Sequence, residues 1–194
     1  MIYSLLASLL FFREWQEDLP QLTIAERERL QRVQAAYANL ERRSLLENTM
    51  KLAVVAPLLD LAGLFLPPFY VDTETTVEIV AEEAGVKLRG RIDVLVLVKQ
   101  IWVLMIESKR SQFSLQVGIP QALSYMLASP QQDKPLFGWV INGSNFVFLK
   151  LLVQDRPRYA KSKEFILGQD NGLGLTLQIL KKLGAIAVGK KIAK

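Results

Sequence analysis

The sequence predicts a three-layer α/β domain, a mixed central β-sheet between helices, preceded by a helical extension. Three observations predict it. Helix-type periodicity dominates the chain before Pro67, residues 73–106 switch to a β-branched, strand-type texture, and a helical stretch then separates those strands from two more. The segments 91–98 and 101–106 are almost continuously apolar, the pattern of strands buried on both faces in the middle of a sheet.

The elements follow in order. The apolar run 1–12 lacks a basic n-region and a small-residue cleavage site, so it reads as a helix packed on the domain rather than a signal peptide. A long helix is expected from Thr23 to about Arg43, with Thr23 as N-cap, Glu26 completing a capping box, and Leu30, Val33, Tyr37 and Leu40 forming the apolar stripe. Its other face mixes Arg27, Glu28, Arg29 and Arg32, as solvated surfaces do. A second helical stretch covers 45–64, with Pro57 marking a kink or a fresh start and Gly63, Pro67 and Pro68 the stop. Three strands at 73–81, 91–98 and 101–106 come next, then a helix over 112–129 that restarts at Pro120, a residue suited to a first turn. Strands at 136–141 and 146–153 flank Asn142-Gly143-Ser144-Asn145, which is hairpin chemistry; a further strand is expected within 158–167 and a last helix over 173–183. No repeat or linker appears, so the chain reads as one domain over 1–194: a helical extension (1–44), a core (45–153) and a basic C-terminal extension (154–194).

Composition narrows the chemistry. With 194 residues, 51% hydrophobic and 22% charged, the chain fits one globular domain. Mean hydropathy is +0.21, yet no stretch reaches the roughly eighteen apolar residues of a membrane span, so a soluble, cytoplasmic protein away from membranes is expected. The absence of cysteine and histidine removes disulfides, thiolate or imidazole zinc sites and Ser-His-Asp or Cys-His nucleophiles. Carboxylates, lysines, hydroxyls or a hard metal ion remain. Net charge is +5, and residues 155–194 hold nine Lys or Arg against three Asp or Glu. That excess points either to an anionic partner or to a solvated basic tail.

One constellation suits a metal ion. Only Lys99 and Gln100 separate the second and third strands, so these form an antiparallel hairpin. A two-residue turn opposes Asp93 to Ile106, whereas one more loop residue opposes Asp93 to Glu107. Lys109 follows Glu107 by two, the period of one strand face. Adjacent carboxylates among apolar strands repel each other unless a cation lies between them, and Mg2+ or Mn2+ suits an all-oxygen site. A surface Glu-Lys pair at a strand end is the plainer reading of the same tripeptide.

Arg91-Ile92-Asp93 followed by Ile106-Glu107-Ser108-Lys109 resembles the PD-(D/E)xK nuclease superfamily, with Ile92 where proline is usual. The resemblance implies a restriction-endonuclease-like fold of helix, three strands, helix and strand. It also implies Mg2+ held by Asp93, Glu107 and the main-chain carbonyl of Ser108, with Lys109 assisting the attacking water. Glu47 matches an additional acid that several branches carry before the strands; a helix-end acid favoured by the dipole is its plainer reading. Gln121 and Tyr125, four apart on the following helix, are similar to the third motif of RecB-type nucleases and of the N-terminal nuclease domain of type I restriction enzyme motor subunits, where such a pair helps hold DNA. The implied activity is hydrolysis of DNA phosphodiesters, in restriction or phage defence. With no Gly-x-x-x-x-Gly-Lys-Ser/Thr loop in the sequence, a helicase motor or specificity subunit would come from another chain. Two rival readings stand beside this one: a catalytically silent nuclease fold that binds nucleic acid or a protein, and a homo-oligomer that associates through its N-terminal helices.

Overall fold

The computed structural model describes residues 12–42, 47–81, 86–98, 101–109, 115–153 and 156–189; side chains at 47, 79–81, 86–88 and 101–109 lie outside that description. Helix α1 (Ile24–Glu41) starts at the predicted capping box: Thr23 Oγ1 accepts the Glu26 amide at 3.2 Å, and Glu26 Oε2 accepts the Thr23 amide at 2.7 Å. Leu30, Val33 and Tyr37 are buried as the stripe requires, with Leu40 half-buried. The expected helix over residues 1–12 falls outside the described residues except for Phe12, which is fully buried.

The second helical stretch is one continuous run in three parts: α2 (Glu47–Met50), a π-helical turn (Lys51–Val55) and α3 (Ala56–Leu61). Pro57 stands at the start of α3. It has no amide to offer the carbonyl four residues back and its ring crowds that carbonyl, so the wider π spacing immediately before it is a physical response to the proline.

The strands are β1 (Phe69–Ala81), β2 (Val86–Val98), β3 (Ile101–Lys109), β4 (Leu136–Asn142), β5 (Asn145–Leu152), β6 (Arg158–Lys161) and β7 (Phe165–Ile166). They form one sheet in the order β1-β2-β3-β4-β5-β6, with β7 also pairing β5. Every pairing is antiparallel except β3 with β4, so the sheet is mixed. The parallel step needs a crossover, and helix α4 (Leu115–Leu127) supplies it. The predicted hairpin closes on Gly143 and Ser144, with Gly143 at φ +59° and Asn142 opposite Asn145.

Two expectations are corrected. Helix α4 does not restart at Pro120 but runs through it; the proline sits on the exposed side of the helix, where a carbonyl without its amide partner can be hydrated. The segment 158–167 is two short strands rather than one, separated around Ser162, whose hydroxyl accepts the Phe148 amide at 3.0 Å.

Alternation along the central strands sorts the core into two layers. Val94, Val96, Trp139 and Phe148 point to one side, where they meet Phe12, Tyr37, the π-turn helix and the last helix, α5 (Gly172–Ala187). Leu95, Val140 and Leu149 point to the other, against Ala122, Tyr125 and Met126 of α4. The result is the expected three-layer α/β arrangement. No helix among the described residues is long and apolar enough to cross a membrane.

The extension before the core is tied to α5 and β5 by charge. Lys181 bonds Glu26, Lys182 bonds the Glu17 carbonyl, and Lys150 bonds Glu14 at 2.7 Å. Burial pushes the Glu26 carboxyl up, but the bonds from Lys181 and Thr23 outweigh it and hold the group below the usual glutamate range. A depressed folded-state pKa contributes stability above the unfolded value and loses it as pH falls through the folded one. Urea unfolding should therefore show a stability loss below about pH 4 that is smaller in Glu26→Gln, and Thr23→Ala should cost about 1 kcal/mol at neutral pH.

Candidate functional site

The geometry of the β2–β3 hairpin combines both alternatives open in the sequence. Val98 pairs with Ile101 and Leu97 with Trp102, as a two-residue connection requires; the register then shifts, and Val96 pairs with Leu104, Leu95 with Met105 and Val94 with Ile106. The extra residue is thus taken up inside β3, at Val103, as a β-bulge rather than in the loop. Asp93 and Glu107 are the next residues along the two strands beyond the Val94–Ile106 pair. On its other side β3 aligns Glu107 with Val140, Ser108 with Ile141 and Lys109 with Asn142. The side chains of Glu107, Ser108, Lys109 and Glu47 lie outside the described residues.

At Asp93 the pleat of the sheet breaks. Ile92 joins the α4-side layer, yet Val94, two residues on, joins the opposite one, and Asp93 lines a cavity together with Val94. The neighbouring strand answers this break: β1 pairs Thr73 with Val94 and Thr75 with Ile92, while Glu74 between them has φ +59°. That left-handed conformation costs a non-glycine residue about 1–2 kcal/mol.

The cavity is about 340 Å³, walled by Leu52, Val55, Leu59 and Phe65 and floored by polar groups. Lys51, from the π turn, donates to Asp93 Oδ1 at 2.8 Å and lies 4.0 Å from Glu74 Oε1. The Lys51 and Asp93 side chains are 16% and 15% exposed, against 51% for Glu74. Arg91 donates to the outer side of Glu74, and this bond holds the Glu74 carboxyl below its usual range. Among the described residues no three carboxylates cluster tightly enough to hold a metal by themselves. The donors are nevertheless hard oxygens, and a cationic group already stands between Asp93 and Glu74, so the site accepts positive charge and fits a hard divalent ion.

From the opposite layer, Gln121 and Tyr125 reach the same strand. Tyr125 is 6% exposed, and its phenolic oxygen accepts the Gln121 amide at 2.8 Å and the Arg91 backbone N–H at 3.2 Å. The ring lies over Gly90, where a Cβ would come within 2.2 Å of it. The pair is therefore locked onto β2 two residues from Asp93.

Sequence reasoning missed Lys51 and Glu74. Lys51 had a signal, as a lone cation in the apolar run from Met50 to Leu59; Glu74, one acid in an alternating strand, had none, because its role depends on a backbone conformation that no local pattern announces.

No family model and no curated relative matches the chain. Among solved structures it is similar to a chain in the cryo-EM structure of a DrdV–DNA complex, with a TM-score of 0.51 and 18% identity, over 79% of this chain and 14% of that one. The likeness is one of fold, to a small part of a much longer protein.

Since Gly90 leaves no room for a Cβ, Gly90→Ala should lower stability by about 1–3 kcal/mol in denaturant unfolding, and the double variant Gly90→Ala with Tyr125→Leu should recover part of the loss.

Proposed function

We propose that the protein is a Mg2+- or Mn2+-dependent nuclease that hydrolyses DNA phosphodiester bonds, in restriction or phage defence. The observation that carries this reading is the register of the β2–β3 hairpin: a bulge at Val103 makes Asp93 and Glu107 neighbours across two central strands, beside a cavity that already accommodates a cation. The fold likeness to part of a protein solved with DNA supports the choice of polymer.

In this reading Asp93, Glu107 and the Ser108 carbonyl hold the metal, with Glu47 as an additional acid. A bound divalent ion supplies polarisation of a phosphoryl oxygen and acidification of water. Lys109 orients that water and offsets charge as it develops on the phosphorus oxygens. Gln121 reaches phosphate, and Tyr125, whose oxygen is occupied by Gln121 and the Arg91 amide, positions it. Motor or specificity functions come from a separate chain. A second reading, a silent nuclease fold that binds DNA or a protein, is favoured by the ion pair that already neutralises Asp93.

Two measurements test the proposal. With supercoiled and linear DNA plus Mg2+, Lys109→Ala should cut slower by roughly a hundredfold while still binding, and Asp93→Asn should lose metal-dependent cleavage yet bind at least as well without metal. Parental cutting by both variants, or no cutting by the parent on any DNA or RNA, would leave the silent module. Binding affinity should also fall steeply with salt, and replacing Lys190, Lys191 and Lys194, which lie outside the described residues, should reduce the slope. An unchanged slope would mark the C-terminal lysines as a solvated end.

A further inference from the structure

We propose that Lys51 is a resident cation of the acidic site, a positioning residue that holds Asp93 in the metal-free protein and moves to Glu74 when a divalent ion binds. The inference rests on the reading of Asp93 as a metal ligand. It starts from three observations: the Lys51 ammonium is 2.8 Å from Asp93, the same ammonium is 4.0 Å from Glu74, and Glu74 is brought there by a left-handed backbone inside a strand.

A carboxylate 15% exposed beside apolar walls needs a counter-charge whether or not metal is present. Lys51 supplies one, but a divalent ion on Asp93 would face a like charge a few ångströms away, a repulsion of several kcal/mol at the dielectric usual for such sites. The lysine must therefore lose contact with Asp93 on metal binding, and Glu74 is the acceptor within reach. A lysine suits the exchange because its charge is compact and its stem flexible, whereas an arginine fork would be fixed by two bonds at once. Glu74 is also the more exposed partner, so the ammonium moves toward solvent as the ion arrives. Arg91 holds Glu74 from the outside and keeps it ionised and in place. The unfavourable φ of Glu74 is then the cost of keeping a receiving carboxylate opposite Asp93.

The experiment uses the full chain without DNA. Mn2+ binding is measured by titration calorimetry, and thermal unfolding is recorded with and without saturating Mn2+, for the parent, Lys51→Met, Glu74→Gln and Asp93→Asn. Lys51→Met should bind Mn2+ on the order of tenfold more tightly, unfold at a lower temperature than the parent without metal, and gain more from Mn2+ than the parent does. Glu74→Gln, which alters a half-exposed side chain and keeps the fold even if Lys51→Met does not, should bind Mn2+ several-fold more weakly because the ammonium has nowhere to go. Parental or weaker Mn2+ affinity in Lys51→Met, or parental affinity in Glu74→Gln, overturns the exchange while Asp93→Asn still abolishes binding. A parent that binds no Mn2+, or an Asp93→Asn variant that binds it normally, instead removes Asp93 as a metal ligand and the exchange with it.

Discussion

Asp93 carries a carboxylate on a strand whose neighbours Ile92, Val94, Leu95 and Val96 are buried in apolar layers on both sides of the sheet. An unpaired charge in such a place costs several kcal/mol, so the surrounding structure has to supply compensation. It does so by several linked adjustments. The pleat breaks at Asp93, turning its side chain into a cavity; Lys51 descends from a π turn to meet it; and Glu74 adopts a left-handed backbone on the adjacent strand. The π turn is itself tied to Pro57, so a proline on one element and a carboxylate on another meet through a single lysine.

The opposite layer restrains the same strand without touching the acid. Tyr125 can lie flat over β2 because Gly90 has no side chain, and its oxygen receives the Arg91 amide. Arg91 in turn sends its guanidinium to Glu74. Residues 90 to 93 are thus gripped from α4 on one side and from the π turn and β1 on the other, which limits how far Asp93 can drift.

The helical extension completes this layer rather than hanging from it. Phe12 is buried against Trp15 and Phe137, and Tyr37 sits in the same cluster as Trp139 and Phe148. Its acidic residues and carbonyls take up lysines from β5 and α5, with Glu26 serving both as capping-box residue and as partner of Lys181. Part of the positive charge counted in the C-terminal forty residues is therefore spent inside the protein: Lys181 and Lys182 face the extension, while Arg156, Arg158, Lys161 and Lys163 remain at the surface.

By itself the sequence determined the layers and their order. Period-3.6 stripes, continuous apolar strands, a capping box and an Asn-Gly turn are local signals, and local signals survive without knowledge of the rest of the chain. It also singled out Asp93 and Glu107, because hairpin register is arithmetic on a short connection. Tertiary structure alone decided where the odd residue goes, at Val103 inside β3 rather than in the loop, since a bulge answers to the neighbouring strands on both sides. It alone carried α4 through Pro120, whose cost is small on a solvent-facing side. And it alone joined Lys51 and Glu74 to Asp93: these residues lie 42 positions and 19 positions away, and the forces that unite them, desolvation of a carboxylate and the strain of one backbone angle, exist only once the sheet has been packed.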